Sequence, residues 1–291
     1  MNRRIKLLAI LAMILFVVTA CQSKEGSKQQ SIKQLSVLGN ITEQTQSLTS
    51  HQYKDNHPQL EGGSETVNRK TQATANHILR KKYPHKLYLN AQVDEKKVAL
   101  TFDDGPDKRF TPKVLDVLKN HHVKATFFVM GARAKGHPDI VKRIVKEGHA
   151  IGNHTYWHPN LVKISHERIE KEVKDTEAVI AELTGVYTRL FRAPYGSLTE
   201  DIVEKLASLN YSIFGWSVDS LDWRQLPPKE ISINVLSDVH PGAIILYHDG
   251  GDWSMDLSGT IQSVDYVITT LKEKGYEFVT VPELLNIEGK K

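Results

Sequence analysis

From about residue 96 the chain settles into a regular alternation. Short apolar runs are separated by longer stretches in which apolar positions recur at amphipathic spacing. The short runs lie at 98–102, 125–129, 150–152, 190–192, 212–217, 243–247 and 277–280, and their length and boundaries predict strands. The amphipathic stretches at 112–120, 138–147, 166–183, 200–209, 229–238 and 261–274 predict helices, the first capped by Thr111 with Pro112 in its opening turn. Strand and helix alternate throughout, the pattern of parallel strands joined by crossover helices. Seven strands predict an α/β fold of the incomplete kind, a distorted seven-stranded (β/α) barrel. About 195 residues take part, enough for one sizeable core.

The N-terminal third reads differently. Arg3, Arg4 and Lys6 precede an apolar run over 7–18 and then Thr19, Ala20 and Cys21. That run is shorter than the roughly 20 residues a spanning helix takes and has the layout of a secretory signal peptide, expected over 1–20. Val18-Thr19-Ala20-Cys21 looks like a bacterial lipobox, in which the cysteine is lipidated and becomes the first mature residue. Cys21 is the only cysteine, which excludes internal disulfides and suits an anchor. These readings place the protein on the extracytoplasmic face of the cell membrane, held by lipid. Residues 21–65 are rich in Ser, Gln, Thr and Lys and are expected to be a flexible polar linker. A basic lead-in follows over 66–94, with a helix expected within 66–83 and extended chain over 86–90, before a folded domain over 95–288.

Charge adds little beyond this. The whole chain carries +4, but three positive charges and no acids fall in residues 1–20. Positive charge is then concentrated at Arg69, Lys70, Arg80, Lys81, Lys82 and Lys86, a cluster that reads first as a solvated polar segment and second as a surface for anionic lipid or wall polymer. No nucleic-acid motif accompanies it, and no protein partner is predicted.

The chemistry sits at the ends of the predicted strands. Thr101-Phe102-Asp103-Asp104-Gly105-Pro106 puts two adjacent carboxylates where a strand gives way to a turn. Side by side they repel, and a divalent cation relieves that repulsion while leaving one carboxylate to act as a base. His154 and His158 lie four apart, and Pro159 disfavours helical geometry at His158, so the pair is expected on a turn or helix end. With Asp104 they offer a two-histidine, one-carboxylate set for zinc or a similar divalent ion. Asp103 and Asp104 follow the first strand, His154 the third, Arg192 the fourth, Asp219 the fifth and His248 the sixth. All lie at C-terminal strand ends, where α/β barrels gather their catalytic groups.

Five segments occur in a fixed order: 101–106, His154 to His158, Arg192-Ala193-Pro194-Tyr195-Gly196, Asp219-Ser220-Leu221-Asp222-Trp223 and Leu246-Tyr247-His248-Asp249. Together they resemble the motif set of the polysaccharide deacetylases, the NodB-homology group of carbohydrate esterase family 4, over roughly residues 95 to 285. The resemblance implies the same distorted barrel. It implies Asp103 as catalytic base, Asp104, His154 and His158 as ligands to a divalent metal, zinc first and cobalt as an alternative, and Arg192 as the partner that orients Asp103. It further implies an oxyanion-stabilising backbone N–H at Tyr195, an acetyl pocket walled by Trp223 and Leu246, and His248 as general acid with Asp222 orienting it. Asp219 and Asp249 are expected as outer support, and most of the other eleven histidines, His121 and His122 among them, as structural. The implied reaction is hydrolytic N-deacetylation of an N-acetylated cell-wall polysaccharide with release of acetate. Peptidoglycan N-acetylglucosamine is the preferred substrate, because it is the N-acetylated polymer nearest a wall-facing lipoprotein. Chitin oligomers, an O-acetyl glycan esterase activity and a non-catalytic wall-binding role stand as alternatives.

Overall fold

The computed structural model describes residues 73–291. The expected signal peptide, Cys21, the linker and residues 66–72 of the lead-in lie outside the described residues. The described chain begins with α1 (Asn76–Lys82) and β1 (Leu87–Tyr88), followed by β2 (Lys97–Asp103), α2 (Thr111–Asn120), β3 (Thr126–Val129), α3 (Gly131–Gly136), α4 (Pro138–Lys146) and β4 (Ala150–Asn153). Next come α5 (His166–Thr184), β5 (Leu190–Phe191), α6 (Glu200–Ser208), β6 (Ser212–Phe214), β7 (Val218–Asp219) and α7 (Pro228–Asp238). The chain finishes with β8 (Ile244–His248), α8 (Ser258–Glu273), β9 (Glu277–Phe278) and α9 (Val281–Leu285). Helix ends follow local chemistry. Proline opens α4 and α7, the Ser165 side chain accepts the Arg168 N–H at the start of α5, and Gly185 at φ 70° stops that helix in the left-handed region.

The strands form one sheet in the order β1-β6-β5-β4-β3-β2-β8-β7, with β9 paired to the start of β2, and every pairing is parallel. The sheet curls into a half-barrel with β1 and β7 at its two ends. This is the expected α/β architecture with two more strands than the apolar runs announced. One of the expected strands, 212–217, divides. Gly215 N–H still donates to Tyr88 of β1, but Ser217 N–H donates to Ile244 of β8, so the chain crosses from one end of the sheet to the other and forms β7 there.

Side chains alternate strictly between the two faces. On the outer face Val98, Leu100, Phe102, Phe127, Val129, Ile245 and Tyr247 pack in one cluster with apolar residues of α2, α4, α7 and α8. Phe191 and Ile213 pack in a second with α1, α5 and α6. On the inner face Ala99, Phe128, Leu190, Phe214 and Ile244 pack with Val281 and Leu284 of α9, which fill the N-terminal half of the half-barrel. Continuing each inner column by two or four residues toward the strand C-termini leads from Ala99 to Thr101 and Asp103, from Leu190 to Arg192, and from Ile244 to Leu246 and His248. The same alternation that builds the core therefore delivers the polar side chains to one end of it.

Candidate active site

Asp103 and His248 are register partners on the adjacent strands β2 and β8. Both are buried. Asp103 Oδ1 accepts from Nη1 of Arg192 at 2.8 Å. That guanidinium is fully buried and donates three further hydrogen bonds, from Nη1 to Thr101 Oγ1 at 2.8 Å, from Nε to the Phe214 carbonyl at 3.2 Å and from Nη2 to the Gly215 carbonyl at 2.9 Å, with its central carbon over the Phe128 ring at 4.3 Å. A fork fixed at four points holds the carboxylate in one orientation. It also recruits the carbonyls at 214 and 215, where the expected strand breaks.

Asp104 adopts φ 70°, which turns its side chain away from that of Asp103 and toward the loop after β4. There its Oδ1 faces His154 Nε2 at 3.3 Å and His158 Nε2 at 3.1 Å. The three residues are buried, and their candidate ligand atoms all lie within 4.8 Å of one another. His154 Nδ1 is 2.9 Å from the Arg192 carbonyl. A carbonyl only accepts, so Nδ1 carries the hydrogen, and in the neutral imidazole the Nε2 lone pair points at Asp104. Burial lowers the His154 pKa, but the Asp103 and Asp104 carboxylates outweigh it and leave that pKa raised. Both Asp104 oxygens and His154 Nε2 are buried without a hydrogen-bond partner. Burial alone would raise the Asp104 pKa, but the facing imidazoles of His158 and His154 outweigh it and hold the carboxyl well below the usual range. Burial lowers the pKa of His158, favouring the neutral form that ligates. A buried carboxylate and two buried imidazoles with their candidate ligand atoms this close form a donor set that fits a divalent cation.

On the other side of Asp103, His248 Nδ1 bonds Asp222 Oδ1 at 2.7 Å. Asp222 Oδ2 accepts from the His248 backbone N–H at 2.8 Å and from Thr260 Oγ1 at 2.9 Å. Burial opposes protonation of His248, but the Asp222 charge and hydrogen bond, helped by Asp104 and Asp103, push its pKa up to about 10. Asp219 braces this corner by accepting the Leu221 N–H at 2.9 Å. Asp249 lies beside Gly105, where a Cβ would meet its carboxylate oxygens at 2.4 Å, and burial pushes it up to about 7. Leu246 is fully buried on the inner face one step below His248. Trp223 packs against Phe110, Met255 and Leu257, with its indole nitrogen buried. Tyr195 sits at φ 60°, its ring edge-on to His158 at 4.7 Å. Beyond these, Arg109 and Arg133 both engage Asp107 and reach the carbonyls of the loop after β8, Arg109 those of Gly251, Asp252, Trp253 and Met255 and Arg133 that of Gly251. They lash that loop to the one after β2.

The structure thus gathers Asp103, Asp104, His154, His158, Arg192, Tyr195, Asp222, Leu246 and His248 at the C-terminal end of one half-barrel, with Trp223 next to Asp222. Sequence reasoning missed the residues that hold them: Thr101 under Arg192, Thr260 under Asp222, Asn153, whose Oδ1 accepts the Thr155 N–H at 2.9 Å, and Glu172. No spacing signals Thr101, Thr260 or Glu172, because each meets its partner from another element, whereas Asn153 sits beside His154 and its bond two residues on is a local turn contact that the motif itself does not announce.

A family model described as polysaccharide deacetylase matches residues 90–214. A peptidoglycan-N-acetylglucosamine deacetylase of Bacillus cereus is 46% identical over 189 residues, covering 64% of this chain and 67% of that one. The peptidoglycan-N-acetylglucosamine deacetylase PgdA of Listeria monocytogenes is 40% identical over 189 residues, and the match covers 65% of this chain but 39% of that longer protein. Among solved structures, the Bc1960 peptidoglycan N-acetylglucosamine deacetylase superposes with a TM-score of 0.69 at 41% identity, covering 72% of this chain and 98% of that one. The sequence matches and the shared half-barrel agree with the five ordered motifs now seen around one site, and the chain belongs to the polysaccharide deacetylases of carbohydrate esterase family 4.

Proposed function

We propose that this polysaccharide deacetylase is a metal-dependent enzyme that removes the acetyl group from N-acetylglucosamine units of peptidoglycan. The observation that carries this reading is the convergence of Asp104, His154 and His158, where both Asp104 oxygens and His154 Nε2 are buried without a hydrogen-bond partner, beside an Asp103–Arg192 pair and a His248–Asp222 pair. Asp104, His154 and His158 would hold the cation, zinc or alternatively cobalt, which when bound supplies Lewis acidity that polarises the acetyl carbonyl and makes water nucleophilic near neutral pH. Asp103, oriented by Arg192, takes the proton of the attacking water. The Tyr195 backbone N–H donates to the oxyanion that forms on the carbonyl oxygen. Trp223 and Leu246 wall the space for the acetyl methyl. His248 gives its proton to the amine nitrogen as the carbon–nitrogen bond breaks, leaving acetate and a free amino sugar. An amine must be protonated to leave, whereas an ester oxygen needs far less help, so a histidine held protonated favours the amide over the O-acetyl reading. The relatives named above support peptidoglycan as the preferred substrate, with chitin oligomers as the alternative. By the same reading the Cys21 lipid would anchor the enzyme on the extracytoplasmic side.

The test is acetate release from purified peptidoglycan, from chitin oligomers and from O-acetylated glycans, before and after chelation and with zinc restored. Release from N-acetylated substrates that stops on chelation and returns with zinc is expected. Release only from O-acetylated glycans, or release indifferent to chelation, sinks the reading. His154→Ala and His158→Ala should each lose stoichiometric metal by elemental analysis along with activity.

A further inference from the structure

The loop carrying His154 and His158 is held along its whole backbone. His154 N–H donates to Val129 O at 3.0 Å, and Thr155 N–H to Asn153 Oδ1 at 2.9 Å. The Thr155 and Tyr156 carbonyls accept from Gly131 and Ala132 of α3 at 2.9 and 3.1 Å, and His158 N–H donates to Thr155 Oγ1 at 3.1 Å. Two amides complete the loop, those of Tyr156 and Trp157 between the two histidines. Both donate to a single atom, Oε2 of Glu172 on α5, at 2.8 and 2.7 Å. Glu172 is 2% exposed. Its other oxygen, Oε1, lies 2.6 Å from Nη2 of Arg168, one turn earlier on α5. A buried carboxylate with two amide donors on one oxygen and a guanidinium on the other makes charge-assisted bonds, stronger than neutral ones.

The need for such a clamp lies in the loop's own backbone. Thr155 and His158 adopt φ 66° and 61°, left-handed values unfavourable for residues with a Cβ. They persist only where surroundings enforce them. The approach of α3 requires Gly131, since a Cβ there would stand 2.4 Å from Tyr156 Cδ2, so the loop is pressed from one side and clamped from the other.

We propose that Glu172 is a positioning residue for the metal centre: by gripping the Tyr156 and Trp157 amides it sets the separation and aim of the His154 and His158 imidazoles, and through them the affinity for a divalent cation. The proposal rests on the metal-binding reading given above. It does not require Glu172 to touch metal or substrate.

The test measures Zn²⁺ affinity of the intact chain by competition with a chromophoric chelator, the visible absorption of the Co²⁺-loaded protein, and thermal stability in parallel. Glu172→Ala should bind Zn²⁺ about 10- to 100-fold more weakly, the usual effect of removing a group that orients ligands, and should shift the Co²⁺ bands. Glu172→Gln keeps an acceptor oxygen for the two amides and should restore affinity to within a few-fold. Ile180→Ala, a fully buried change on the same helix, should lower thermal stability while leaving Zn²⁺ affinity intact. If Glu172→Ala does not fold, Glu172→Asp, too short to reach both amides, carries the same test. Parental affinity and an unshifted Co²⁺ spectrum in the folded Glu172 variant, or equal weakening by Ile180→Ala, overturns the proposal while leaving the metal reading intact. A parent chain that binds no Zn²⁺ stoichiometrically overturns both.

Discussion

His248 and Asp222 show how one residue pair couples chemistry to stability. The folded chain binds the His248 proton more tightly than the unfolded chain, in which the imidazole titrates near 6.5. The contribution of this proton to stability is therefore complete below about 6.5 and is lost as the pH rises through about 10. Inside that window this group lowers stability by up to about 1.4 kcal/mol per pH unit. Asp222→Asn removes the charge that overcomes burial, so the slope should flatten in denaturant titrations from pH 7 to 9. The alkaline limb of kcat/KM should also move down by more than about one pH unit. An unmoved limb would remove the general-acid role from His248. Asp103→Asn should instead leave metal content unchanged and lower kcat by roughly 10²-fold or more; loss of metal would make Asp103 a ligand rather than the base. At this scale the sequence was highly legible for the polar residues that the structure brings together, because Asp, His and Arg at strand ends stand out from the apolar runs before them. It was nearly silent on Thr101, Thr260 and Glu172. A threonine inside a strand and a glutamate inside an amphipathic helix look like thousands of others until the fold shows what they face.

Among the elements, the strands and helices long enough to show a period came out where their apolar pattern put them. The expected helix at 166–183 spans His166–Thr184, and the expected strand at 243–247 is Ile244–His248. The elements that escaped are the short ones. β7 has two residues and exists only through its neighbour β8, and α3 is six residues long with glycine at both ends; β1, a two-residue strand, falls within the extended chain expected over 86–90. α9 is five residues long, held by a Thr280–Glu283 capping box and by a bond from Val281 N–H to Thr126 Oγ1 at 2.9 Å. It fills the inner face at the end remote from the site, so its contribution is to stability alone. Val281→Ala should cost about 1–3 kcal/mol and leave kcat/KM for a small N-acetylated oligosaccharide unchanged. A matching fall in turnover would mean that the two ends of the half-barrel are mechanically linked.

For the whole molecule, the proposed lipid on Cys21 would set where it works. A diacylated cysteine carries two chains, which anchor stably where one does not. Cys21→Ala should move the protein from the membrane fraction to the soluble or secreted fraction, or stall it as precursor, without altering turnover on soluble substrates. Persistence in the membrane would shift attention to the basic residues from Arg69 to Lys86, and a high-salt wash would test them. A different consequence follows from the left-handed residues. Of the nine non-glycine residues at positive φ among the described residues, Asp104, Thr155, His158, Tyr195 and Leu221 belong to the site or its immediate support. Four of them carry side chains that a glycine would delete along with the strain. Leu221 is the exception: Leu221→Gly relieves the left-handed strain but gives up a half-buried side chain and loosens the unfolded chain, so stability should change by less than about 1 kcal/mol, with activity retained. Selection for heat tolerance therefore finds little to gain at the site, and a thermostable descendant of this enzyme would collect its gains in the helices and the far end of the half-barrel, leaving the tension around the His154–His158 loop in place.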